Sequence, residues 1–72
     1  MAKIDGDRLE DFQLALYACV EANGFAPEQV RTRRDAWDVY HRAVSENRID
    51  AWIVNGCLDD HIETALRKTF NL

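Results

Sequence analysis

Proline, serine and cysteine are nearly missing from this chain of 72 residues, with one, one and two copies, and glycine occurs only three times. Cys19 and Cys57 are too few for a disulfide framework, and a free cysteine in a reducing compartment behaves as a small buried apolar residue. Ser45 is the only serine and has no evident base beside it. The scattered glycines form no phosphate-cradling loop and no nucleophile elbow. No apolar run approaches the ~18 residues of a membrane span, and the polar start from Met1 to Arg8 lacks the apolar stretch of a secretory signal, so the expected location is cytoplasmic. Basic residues are outnumbered, nine Lys and Arg against thirteen Asp and Glu, for a net charge of −4 and a pI near 4.9. A general nucleic-acid binder needs a basic surface to displace counterions from phosphates, so the balance favours a basic or neutral protein partner.

What is present is the composition of a globular protein, 47% hydrophobic and 31% charged. A single domain this short buries roughly 60% of the surface its unfolded chain exposes, and a homodimer would be a natural way to bury more. The stretch Asn23-Gly24-Phe25-Ala26-Pro27 predicts a corner between helices. Gly24 suits the left-handed residue of a Schellman cap, Phe25 can fold back onto Val20, and Pro27 suits a first helical position. Before the corner, Asp5 is placed to cap a helix, with Ile4 and Leu9 as its hydrophobic staple. Leu9, Phe12, Leu16, Cys19, Val20 and Asn23 form one stripe, with Tyr17 at its border, whereas Leu14 lies about 140° around from Leu9 and is expected to be exposed.

After the corner, a helix from Pro27 to about Asn47 would turn Val30, Trp37, Tyr40, His41 and Val44 inward, with Ala36 and Ala43 at the edge and Asn47 as a left-handed terminator. Thr32 to Asp35 could instead act as a capping box and divide it. Continuity is preferred because Arg31 with Asp35, and Arg34 with Asp38, Arg42 and Glu46 beyond, are spaced by four, and such pairs support an uninterrupted helix. Asp50 could cap a short helix ending at Asn55-Gly56, preferred here over an extended Ala51–Val54. Asp59 is expected to cap a last helix with Ile62, Ala65, Leu66 and Phe70 inward and with Asp60 and Arg67-Lys68 at the ends that suit the helix dipole.

Four constellations could carry chemistry. Arg31, Arg33 and Arg34 could recognise anions, but two of them have acidic neighbours one turn on; Arg33 lacks one and is the arginine to engage a partner. Residues 50–70 match a helix-turn-helix in outline, yet Asp59, Asp60 and Glu63 would repel phosphates at the start of the recognition helix. Cys19, His41, Cys57 and His61 lack the paired spacing of a zinc site. Cys57 beside His61 makes a poor thiolate pair, because Asp59 and Asp60 would raise the thiol pKa. Trp37 reads as core. Trp52, flanked by Ile49, Ile53 and Val54, reads either as a plug at the end of the bundle or as part of a binding patch. Leu14, Tyr17, Ala18 and Val39 are left without an intrachain role.

The stretch from Leu58 to Lys68 contains the pattern D-x-H-I-x-T-A-L-R, which resembles a segment near the C-terminus of small, mostly uncharacterised phage and prophage proteins. The resemblance covers about a sixth of the chain. It implies an accessory protein of a mobile element that binds a host or phage protein, and it transfers no catalytic residue. The expectation is therefore an all-α protein, a small three-helix bundle with a short connecting helix before the last helix, occupying residues 1–72 as one domain. It would act as a protein-interaction module, an adaptor or inhibitor-like accessory protein, with Glu10, Asp11, Leu14, Arg33 and Trp52 as partner-binding residues. No enzyme activity, metal or cofactor is expected. The alternative is a helix-turn-helix DNA-binding regulator using residues 50–70.

Overall fold

The first helix, α1 (Gly6–Ala22), starts where Asp5 offers its carboxylate to the backbone N–H of Arg8 at 3.1 Å. Ile4 and Leu9 pack against the core on either side of that cap, as a hydrophobic staple does. The computed structural model describes residues 3–72. At the far end of α1, Gly24 takes a φ of +79°. The N–H of Gly24 then donates to the carbonyl of Glu21, and that of Phe25 to the carbonyl of Val20, both at 3.0 Å. These two bonds are the Schellman closure expected of the corner.

The unbroken helix from Pro27 to Asn47 is overturned. Pro27–Gln29 form one turn of 3-10 helix, Val30 lies buried in extended backbone, and α2 spans Arg33–Ser45. Thr32 caps α2 by accepting from the N–H of Asp35 at 3.1 Å, while the Asp35 carboxylate accepts from the backbone N–H of Arg31 at 3.3 Å. The magnitudes account for the break. A threonine cap stabilises a helix start by about 1 kcal/mol, whereas an exposed pair at a spacing of four contributes only about 0.2–0.5 kcal/mol. Asp35 therefore serves the cap. Thr32→Ala is expected to cost about 1 kcal/mol in a urea melt and Thr32→Ser almost nothing; equal melts for all three proteins would contradict a capped start at this residue.

Freed from Val30, α2 also turns differently about its axis. Ala36 and Ala43 are buried at its centre, Val39, Trp37 and Tyr40 are half-buried, and His41 and Val44 are exposed. The expected inner face was referred to Val30 as though it lay on the same helix. With Ala36 as the reference, Ala43 lies about 20° away but His41 about 140° and Val44 about 80°. Val39, expected outside, packs on the core, and so does Tyr17, whose hydroxyl donates to the carbonyl of Thr69 at 2.8 Å.

Asn47, at φ 56°, closes α2 with a second Schellman pair, Asn47 N–H to Val44 and Arg48 N–H to Ala43. A single helical turn, α3 (Ala51–Val54), follows as expected, but the Asp50 carboxylate makes no capping bond to it. Gly56 at φ +78° ends that segment. The last helix, α4 (Asp59–Phe70), starts one residue earlier than expected: Leu58 is its cap position and Asp59 its first helical residue, with no side chain closing the end. Its stripe Ile62, Ala65, Leu66 and Phe70 is buried as foreseen.

α1, α2 and α4 pack on one another and α3 leans on α1. The core joins Phe12, Leu16, Cys19 and Val20 of α1 to Ala36 and Ala43 of α2, Ile53 of α3 and the α4 stripe. The fold is a small all-α bundle of three main helices and a short connecting one, and no helix among the described residues is long and apolar enough to cross a membrane.

Candidate interaction surface

On α1 the residues not turned to the core make a continuous outer stripe. Asp7, Glu10, Leu14, Ala18 and Glu21 recur every three or four residues and all are exposed, with Asp11 alongside. Leu14 is 60% accessible. Among the described residues, Asp7, Glu10, Asp11 and Glu21 take part in no ion pair. The stripe is therefore an apolar side chain flanked by four carboxylates that form no ion pair among the described residues.

The other two predicted site residues lie elsewhere. Arg33 reaches across to α4 and pairs with Glu63, whose carboxylate also accepts from Trp37 Nε1 at 3.3 Å and lies 3.9 Å from Arg67. Its partner is thus in the same chain, thirty residues on, where no spacing rule along one helix could find it. Trp52 stays 50% accessible, and the Arg8 guanidinium lies 5.5 Å from its ring centre. Ile49 and Ile53, its neighbours, are the residues that fill the end of the bundle. On α1, Arg8 lies about 120° around from Leu14 but only about 60° from Asp11, so Trp52, which Arg8 covers, borders the acidic stripe on the Asp11 side rather than joining Leu14. The structure keeps Glu10, Asp11 and Leu14 on one helix face, engages Arg33 with Glu63 of α4, and sets Trp52 against Arg8.

A recess that the sequence pattern did not announce lies between α1, the turn at Pro27–Gln29 and α2. Val20, Phe25, Val30 and Val39 line it, with Asp38 and Arg42 among the polar groups around them. Asn23 ties its wall together: its side-chain amide donates to the Cys19 carbonyl at 2.8 Å and to Glu46 at 3.1 Å, and its oxygen accepts from Arg42 at 2.6 Å. Hydrogen bonds from Arg48 and then Asn23 hold the Glu46 carboxyl below the usual carboxylate range. Burial, followed by the charge of Glu46, pushes the Cys19 thiol up, which makes it an inert core residue. The clue in the sequence was Asn23 itself, a polar residue on an apolar stripe.

Among the described residues no three His, Cys, Asp or Glu side chains gather as a metal site. The helix-turn-helix segment consists of the one-turn α3 and then α4, whose first turn presents Asp59 and Asp60 to solvent. The phage-like pattern spans Asp59 to Arg67 of α4, and its Ile62, Ala65 and Leu66 are core residues. No family model, curated protein or solved structure matches the chain.

Proposed function

We propose that this chain is a small acidic protein-interaction module, a binding protein and not an enzyme, that holds a basic segment of another protein against the outer face of α1. The observation that carries this reading is Leu14, largely exposed in the middle of carboxylates that form no ion pair among the described residues. An apolar anchor of this kind supplies affinity once covered, while the surrounding charge steers an oppositely charged surface into register. A second copy is a poor occupant, because a two-fold contact through this face would bring two sets of like-charged carboxylates together. Duplex DNA is a poorer one, for the exposed start of α4 is acidic. An accessory protein that binds a host or phage protein is also what the resemblance of Asp59–Arg67 implies.

The test is affinity capture from the source cells with the wild-type chain and with Leu14→Ala, Glu10→Lys and Asp11→Lys, read by mass spectrometry and then by titration of the captured protein. The expected partner carries a basic surface, loses roughly 30-fold in affinity with Leu14→Ala, as a residue in the hot-spot class does, and associates more slowly as salt is raised. Undiminished capture by the triple variant would refute this choice of surface. Tight duplex binding at low salt by the wild-type chain would refute the protein-binding reading altogether.

A further inference from the structure

The chain contains two lysines, Lys3 and Lys68, and the fold brings both to the rim of one recess between the segment preceding α1 and the outer flank of α4. The floor is made by Ile4, Leu9 and Ala65 with Thr64 beside them, and among the described residues no carboxylate lines it. That is unexpected in a protein of net charge −4. Neither lysine is engaged in an ion pair among the described residues, so their charge is available. His61 stands on the wall, and its Nδ1 is shielded from solvent and has no hydrogen-bond partner. Being shielded, that nitrogen makes no contact with an occupant of the recess, and the His61 ring serves as a reporter on the wall. We propose that the recess is a binding site for a small aliphatic carboxylic acid, its carboxylate between the two ammonium groups and its chain on Ile4, Leu9 and Ala65.

The class of ligand follows from the lining. Lysine is a point charge that holds an anion without demanding the planar two-pronged geometry of arginine. The apolar floor adds affinity for an alkyl chain that covers it, a gain a bare inorganic anion cannot make. The recess is a half-open depression of about 250 Å³, enough for a chain of about six carbons and below the usual range of ~300–1,000 Å³ for drug-sized ligands. The site stands apart from the protein-binding face, since Leu9 is about 140° around α1 from Leu14, and either assignment can fail without the other.

The experiment is a heteronuclear NMR titration of the intact chain with sodium hexanoate, and in parallel with acetate, inorganic phosphate and hexylamine at matched ionic strength. Hexanoate is expected to saturate and to move the resonances of Leu9, Ala65 and the His61 ring together. Acetate and phosphate should bind at least tenfold more weakly, and hexylamine should move none of these signals. The Lys3→Gln, Lys68→Gln double variant changes only exposed side chains; it should keep the wild-type spectrum and lose at least tenfold in hexanoate affinity. Should that spectrum change throughout, Lys68→Gln alone provides the same comparison with a smaller expected loss. The proposal is overturned if hexanoate shows no saturation, if phosphate or acetate binds as tightly as hexanoate, or if hexanoate affinity is unchanged in the lysine variants.

Discussion

Phe12→Ala is expected to remove about 3–5 kcal/mol of stability, the cost of deleting a buried aromatic ring that its surroundings cannot collapse to replace. Phe12 is completely shielded from solvent in the middle of α1, and its ring centre lies 6.1 Å from that of Tyr40 on α2. It therefore joins two of the three main helices. A chain of 72 residues has a total stability of roughly 4–11 kcal/mol at about 0.05–0.15 kcal/mol per residue, so the variant would lose a large share of what it has. At roughly 4–8 °C per kcal/mol for a domain of this size, the melting midpoint should fall by tens of degrees. Urea unfolding followed by circular dichroism measures the loss directly, and Leu14→Ala, exposed on the same helix, should lie within about 0.5 kcal/mol of wild type. Equal losses at the two positions would mean that α1 does not present the face described.

The contrast between those two residues is legible in the sequence alone, and the reason is physical. α1 is defined by signals that lie within a few residues of one another: a cap, a staple, a stripe at helical spacing and a glycine closure. Each is found where its local chemistry places it. The stripe of α4 is readable for the same reason, although its start is displaced by one residue because an aspartate near a helix start can serve the dipole without capping. The errors begin where two local signals compete. At Thr32 the capping chemistry and the charge spacing point to different backbones, and the cap is the stronger. Of the candidate surface, Glu10, Asp11 and Leu14 are legible because they belong to one helix. The pairing of Arg33 with Glu63 and the cover of Arg8 over Trp52 depend on tertiary packing, which no periodicity encodes.

The phase of α2 is the consequence of that competition with the largest measurable effect. Ala43 is completely buried and Ala36 nearly so, two turns apart on the line that α2 presents to the core, whereas Val44 is 45% accessible. A methyl side chain at each position lets the helix come close to its neighbours. The three extra carbons of Ala43→Leu must displace packed atoms, which costs about 1–3 kcal/mol through forced rotamers and backbone shifts. Val44→Ala removes side-chain atoms that already face water and should change stability by no more than about 0.5 kcal/mol. If α2 ran unbroken from Pro27 with Val44 inward and Ala43 at the edge, the order would reverse: Val44→Ala would leave a cavity and Ala43→Leu would be tolerated. Denaturation midpoints of the two variants thus report the rotation of the helix, and with it the break at Thr32 that sets this rotation.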